Sequence, residues 1–241
     1  LERQKKTADR SKENRTEKNL EKMKKDLHMP ALPLHIECFD NSNIQGESAV
    51  AACVVFRNGR PSNREYRRFN IKTVTGPDDF ASMEEVIFRR YRRMLDEQTP
   101  LPQLVVIDGG KGQLSSAVKS LEMLGIRGRL TVIGIAKKLE EIYFPGDSVP
   151  LYLDKNSITL KIIQHLRNEA HRFGINFHRE KRSSVMNRSI LDEIPGIGEK
   201  TKERLLKKFG SVRNLSGATA ADLEKVVGAK KASLLAAALK N

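Results

Sequence analysis

Leu104-Val105-Val106-Ile107-Asp108-Gly109-Gly110-Lys111 is an apolar run that stops abruptly at an aspartate and two glycines. An apolar stretch with no polar alternation is the pattern of a short strand buried on both faces, inside a sheet covered by helices. The glycines turn the chain, and a helix is predicted over about 111–124. On the N-terminal side, Phe80, Met83, Val86, Ile87, Tyr91, Met94 and Leu95 recur at helical spacing over 79–98, with Asp78 or Asp79 as N-cap and Pro100 and Pro102 beyond the end. On the C-terminal side, Leu130–Ala136 reads as a second buried strand.

Further out the period changes to that of strands. Residues 34–40, 48–57 and 64–71 read as three successive antiparallel strands, with a turn around Asn41–Gly46 and a tight turn at Asn58-Gly59. A short hairpin is predicted over 141–153, turning at Pro145-Gly146-Asp147. A last helix is predicted over 157–173, with Leu160, Ile163, Leu166 and Ala170 on its buried side. The order β-β-β-α-β-α-β and then a helix predicts an α/β fold, a mixed sheet with helices packed on it.

The flanks differ from this block. The chain has 241 residues, with 44 Lys and Arg against 30 Asp and Glu, a net charge of +14. Residues 31–160 carry only +1 of this, whereas 1–30 carry +4, 161–190 carry +5 and 191–241 carry +4. Positive charge gathered outside a neutral block favours a polyanion, because neutralised phosphates release counterions. Aromatic residues are 5% and Trp is absent, which disfavours extensive base stacking and favours contact with a duplex backbone. No run approaches the roughly 18 apolar residues of a membrane span, and no signal-peptide pattern opens the chain. Leu1 in place of Met is what a piece of a longer chain would show. Cys38 and Cys53 each lie in an apolar strand and form neither a disulfide framework nor a zinc set, so a cytoplasmic protein is expected.

Residues 1–29 read as a polar, solvated helix or linker that ends at Met29-Pro30-Ala31-Leu32-Pro33. Arg179–Arg188 reads as a basic linker. The tail is helical and doubled. Ile194-Pro195-Gly196-Ile197-Gly198-Glu199-Lys200 joins two short helices with Leu191, Leu205 and Leu206 as core, which is a helix-hairpin-helix. Glycine permits the hairpin's backbone angles, and its amides face outward at a helix start, where they can hold a phosphate oxygen. A second copy at Val226-Val227-Gly228-Ala229-Lys230-Lys231 keeps one glycine and adds two lysines.

Two aspartates end apolar strands, Asp40 and Asp108. Either could merely cap a turn, but a pair at the ends of buried strands can share one hard cation. Gly109-Gly110-Lys111-Gly112 lacks P-loop spacing; its glycines let the backbone pass close to a substrate or metal, and Lys111 could reach a phosphate. Of five histidines, His171 sits one helical turn from Arg167 in a basic segment that also holds Arg172, a setting suited to a phosphodiester site. His165 is expected to pack, and His178 lies beyond Gly174, where helix continuity is in question.

Five motifs carry a resemblance: Phe39-Asp40-Asn41-Ser42-Asn43-Ile44-Gln45-Gly46, Tyr66-Arg67-Arg68-Phe69, Gly76-Pro77-Asp78-Asp79-Phe80, Ile107-Asp108-Gly109-Gly110-Lys111-Gly112-Gln113-Leu114 and Glu169-Ala170-His171-Arg172-Phe173. Over about residues 30–241 the chain resembles the C-terminal half of UvrC, the incision subunit of bacterial nucleotide excision repair. The resemblance implies an RNase H-like endonuclease domain over 30–178, a basic linker over 179–188 and tandem helix-hairpin-helix motifs over 189–241. It implies catalytic roles for Asp40, Asp108, His171 and Asp79, with Asp40, Asp108 and His171 holding Mg²⁺ or Mn²⁺. It implies hydrolysis of a phosphodiester 5′ to a lesion, by a metal that polarises the phosphate and activates water. Damaged duplex DNA would be met by Gly196, Ile197, Gly198, Lys200, Gly228, Lys230, Lys231, Lys111 and Arg172. The family's module for the 3′ cut is not in this stretch, and its segment for a UvrB-type partner would survive at most as a remnant in 1–29. Asn168 stands where the family usually has Asp, and the second hairpin lacks the Gly-x-Gly form. The competing expectation is a DNA-binding scaffold on a degenerate nuclease fold, whose mark would be a lost strand-end aspartate; both are present.

Overall fold

A computed structural model describes the backbone of residues 2–42, 50–74, 76–136, 140–192, 194 and 196–239, and the side chains within these except 2–13, 42 and 178–190. The chain runs α1 (Glu2–Asp26), β1 (His35–Ser42), β2 (Val50–Arg57), β3 (Arg60–Pro61), β4 (Arg67–Asn70), α2 (Asp79–Asp96), β5 (Leu104–Ile107), α3 (Lys111–Met123), β6 (Thr131–Ala136), β7 (Glu141–Tyr143) and α4 (Ile158–Asp192). Four shorter helices follow, α5 (Glu199–Phe209), α6 (Val212–Ser216), α7 (Ala220–Val227) and α8 (Ala229–Ala238). The chain divides into two compact units, Leu1–Asn176 and Phe177–Asn241.

Among the described residues, the first unit holds a seven-stranded mixed sheet in the order β3-β2-β1-β5-β6-β7, with β4 also paired to β2. β1, β5 and β6 are parallel neighbours, and β2 and β7 flank them antiparallel. The apolar runs become fully buried strands, as their composition requires: every residue of β5 is buried. Helices cover both faces. Phe39 and Glu37 face α2, where Phe39 meets the Tyr91 ring at 6.1 Å. Ile163, Leu166 and Ala170 of α4 join the same core from the other side. Asp78 caps α2, accepting from the Phe80 and Ala81 amides at 3.0 and 2.9 Å. Asn58 and Gly59 adopt positive φ, the requirement of a two-residue hairpin turn.

Three expectations are revised. Residues 1–29 are helical but not simply solvated: Leu20, Met23, Leu27 and Met29 are buried, three of them in the main core. Asp26 accepts from Thr159 at 2.6 Å and so fastens the end of α1 to the start of α4. The strand expected over 64–71 is broken, because Asn63–Glu65 form a 3₁₀ turn and pairing begins only at Arg67. α4 does not stop at 173, and Arg179–Arg188 continues its helical backbone to Asp192. The turn expected at Asn41–Gly46 falls largely outside the described residues.

β1 carries an ionised group inside the sheet. Glu37 is fully buried and receives Arg90 at 2.5 Å, Tyr91 at 3.1 Å and the His35 ring at 3.2 Å. Burial pushes its carboxyl pKa up, but the hydrogen bonds from His35 and Arg90 outweigh burial and hold it at about 2. Removing one partner of such a pair strands the other, so Glu37→Gln or Arg90→Ala should cost about 3–5 kcal/mol in denaturant unfolding. The folded pKa is below the ordinary 4.5, so this stability is present above that value and lost as pH falls toward 2. The stability advantage of wild type over Glu37→Gln should therefore shrink in acid; an advantage constant with pH would contradict the pair.

Candidate active site at the strand ends

Parallel pairing of β1 with β5 sets Phe39 opposite Ile107, and the Asp108 amide donates to the Phe39 carbonyl at 2.8 Å. The next residue on each strand is Asp40 and Asp108, so both carboxylates leave the same face of the sheet side by side. Each is almost wholly buried, at 1% and 4% exposure. α4 passes over this face and brings His171, whose Nδ1 lies 3.1 Å from Asp40 Oδ2. Among the described residues, Asp40, Asp108 and His171 form a group whose ligand atoms all lie within 4.8 Å of one another. The carboxylates' field reaches below them: burial pushes the Cys38 thiol pKa up, and Asp108 and Asp40 push it further. Two buried oxygen donors and one half-exposed imidazole, gathered at one point, are a donor set that fits a divalent cation.

The other expected residues are distributed differently. Asp79 is exposed in the first turn of α2 and outside this group; its carbonyl accepts from Asn41 Nδ2 at 2.9 Å, beside Asp40. His165 sets its ring edge-on to Phe56 at 5.0 Å, the packing role expected of it. His178 lies on α4, whose helix continues through Gly174, but its side chain is outside the described residues. Lys111 is exposed, but its Nζ already has partners: it donates to the Ser148 carbonyl at 2.6 Å and sits 4.9 Å from the Tyr143 ring centre. Arg172 is bidentate to Glu169, at 2.6 and 2.8 Å, and remains largely exposed.

Two glycines of the Asp108 loop have packing reasons. A Cβ on Gly109 would meet Gln113 Oε1 at 1.9 Å, and one on Gly112 would meet the Phe80 ring at 2.4 Å. Two arginines join the site: Arg167, expected beside His171, and Arg68, which the sequence did not single out. Arg68 pairs across β2 through Ala52 to Asp40, so all three share one face, and its guanidinium lies 4.7 Å over the Phe173 ring. Arg167 counters the two aspartates at Cys38 and reaches Glu140 at 3.7 Å. The signal for Arg68 was its place in Tyr66-Arg67-Arg68-Phe69; the register that aims it at the site needs the sheet.

In the second unit, Leu191, Ile194, Leu205, Leu215, Leu223 and Leu235 build a separate core. Gly198 and Gly228 are the N-caps of α5 and α8, and Gly196 and Gly228 have φ of +83 and +82. Ile197 is part of the core at 5% exposure, so it supports the hairpin from inside. Lys200 and Lys230 are exposed, while Lys231 donates to Thr201 at 3.1 Å and ties the two hairpins together. Pro195 is outside the described residues.

Residues 24–175 match the model of the UvrC RNase H endonuclease domain, and 189–241 match a SAM-like helix-hairpin-helix tandem. The chain belongs to the UvrC family. It is 64% identical over 210 residues, 87% of its length, to the UvrABC system protein C of Flavobacterium johnsoniae, and covers 35% of that protein. It is 59% identical over 213 residues, 88% of its length and 36% of the relative's, to that of Porphyromonas gingivalis. The chain thus spans about a third of the length of these UvrC relatives. Human endonuclease V aligns over 68% of this chain and 99% of its own, with 13% identity and a TM-score of 0.36. No described helix is long and apolar enough to cross a membrane.

Gly134 of β6 backs the Asp108 loop: a Cβ there would stand 2.9 Å from the Gly109 carbonyl and 3.2 Å from Leu114. Because one neighbour is backbone, Gly134→Ala should lower stability by about 1–3 kcal/mol in denaturant unfolding. A variant as stable as wild type would show that the loop yields freely.

Proposed function

We propose that this chain is the part of a UvrC protein that makes the 5′ incision in the damaged strand during nucleotide excision repair, as a Mg²⁺- or Mn²⁺-dependent endodeoxyribonuclease. The observation that carries the reading is the convergence of Asp40, Asp108 and His171 at one edge of the sheet. Family membership and the name of the matched domain support it. Asp40, Asp108 and His171 would hold the ion, which when bound supplies positive charge to the phosphodiester under attack. Asp40 and Asp108 bring fixed carboxylates on two rigid strands, so little reorganisation is needed when substrate arrives. Asp40 also orients His171 through the Nδ1 contact, and the half-exposed ring can carry a proton to or from solvent. Arg68 and Arg172 sit on the same side and suit the neighbouring phosphates. Asp79 acts next to the metal group, through the segment tied to Asn41.

In the second unit, the outward amides after Gly196-Ile197-Gly198 and after Gly228, with Lys200 and Lys230, would hold duplex phosphates. Lys111 and Lys231 are better read as supports, given the partners they already hold. The protein would act in the cytoplasm, within a UvrABC-type system and with a UvrB-type partner.

Asp40→Asn and Asp108→Asn should abolish 5′ incision of a lesion-bearing duplex while melting at wild-type temperature. His171→Ala should slow incision by roughly 10²–10⁴-fold, whereas His165→Ala should cut normally once shown to be folded. Normal cutting by either aspartate variant would overturn this pair as the catalytic centre, and a folded wild-type chain that binds the duplex but never cuts it would support the scaffold reading instead. Lys200→Ala with Lys230→Ala should flatten the salt dependence of duplex binding by about one unit of slope for each phosphate no longer neutralised. An unchanged slope would mean that other basic residues neutralise the phosphates.

A further inference from the structure

Phe80 is a large aromatic side chain left 55% exposed. It is the second residue of α2, two positions after the cap Asp78, and forms a groove with Pro77, Gly110 and Gly112. Both walls of this groove come from the candidate active site. One wall, at 77–80, is hydrogen-bonded through the Asp79 carbonyl to Asn41, the residue after Asp40. The other, at 110–113, begins two residues past Asp108. Gly112 leaves the space in which the ring lies, since a Cβ there would stand 2.4 and 2.8 Å from its atoms. An apolar ring is thus held in water at the rim of a nuclease-like site, with a glycine kept bare beneath it.

From this we infer that Phe80 is a stacking platform for a nucleobase next to the scissile phosphate, on the side of the sheet edge opposite His171, Arg68 and Arg172. The inference deepens the endonuclease reading above and rests on it. Charge chooses the occupant. Asp78 and Asp79 immediately precede Phe80 and line the same groove, where they repel a phosphate, while the arginines on the other side attract one. The part of a nucleotide that suits an aromatic face among carboxylates is the uncharged base, and every base has a face that stacks. A single platform at the cut site also agrees with the low aromatic content of the chain, since extended stacking along a single strand is not required. Phe80 is a positioning residue: it would fix where the strand crosses the Asp40–Asp108 pair.

The chain has no Trp, so Phe80→Trp installs a single fluorophore at the platform. The experiment uses the full chain in an Asp40→Asn background, a synthetic duplex carrying a bulky thymine adduct, and anisotropy of a label on that duplex to follow binding. Duplex should quench the Phe80→Trp emission, and an abasic nucleotide beside the incision position should relieve the quenching while the duplex stays bound. Leu34→Trp, exposed at the opposite end of β1, should not be quenched. With cutting restored, Phe80→Ala should raise KM about tenfold with little change in kcat, and Phe80→Trp should recover it. Gly112→Ala should match Phe80→Ala and add nothing to it in the double variant, because the ring is then already gone. Bound duplex with unquenched emission, or quenching indifferent to the abasic position, overturns the platform and leaves the endonuclease reading intact. A duplex that does not bind at all overturns both. Quenching as expected in the Phe80→Trp chain, together with a wild-type chain that binds the same duplex but never cuts it, overturns the endonuclease reading and leaves Phe80 as a base-stacking residue of a binding protein.

Discussion

The register between β1 and β5 is the constraint on which the site depends. With Phe39 opposite Ile107, Asp40 and Asp108 follow together at adjacent strand ends. A slip of one residue in β1 would turn Asp40 to the other face and send Glu37 into the α4 side, stripping it of Arg90 and Tyr91. The register is therefore secured twice, by the apolar side chains of both strands and by a buried charge that has partners on only one face. Two nearly buried carboxylates at the strand ends repel each other in a poorly screened environment. His171 lies on one of them, and Arg167 counters both at Cys38.

The two sides of the sheet edge then divide the work. On the side of α4, the Glu169-Ala170-His171-Arg172-Phe173 turn meets β4: Tyr66 donates to Glu169 at 3.1 Å, and its ring packs edge-on to Phe173 at 5.2 Å. These contacts fix the stretch of α4 that carries His171 and keep Arg68 and Arg172 near it. On the side of α2 and α3, the loop after Asp108 is closed by Gln113 against Gly109 and by Phe80 against Gly112. Basic groups thus lie on one flank, and an exposed aromatic ring beside Asp78 and Asp79 on the other.

Much of this was legible in residue order. The buried strands, the α2 and α3 helices, the Asn58-Gly59 turn and both strand-end aspartates follow from period and punctuation, because each is a local property. His171 was separable from His165 by its neighbours. What was not legible came from contacts distant in sequence. α1 is polar along most of its length, so its few apolar residues were outvoted by composition, although Leu20, Met23 and Leu27 have helical spacing and are buried. The basic run 179–188 has a linker's composition but lacks Gly and Pro, and nothing in it stops the helix begun at Ile158. Gly109 and Gly112 suggested close approach of a ligand; the neighbours that forbid a side chain there are Gln113 and Phe80, and Phe80 is thirty-two positions away from Gly112. Lys111 was read by its place at a helix start, and its partners Ser148 and Tyr143 lie in a hairpin that the local sequence cannot bring near.

The most direct test is a crystal of the chain soaked in Mn²⁺ and measured for anomalous scattering. The triad predicts a peak coordinated by carboxylate oxygens of Asp40 and Asp108 and by His171, and its loss in an Asp108→Asn crystal treated in the same way. Manganese held elsewhere, for instance by the exposed carboxylates of Asp78 and Asp79 while the Asp40–Asp108–His171 group stays empty, would contradict the assignment of this group as the catalytic centre.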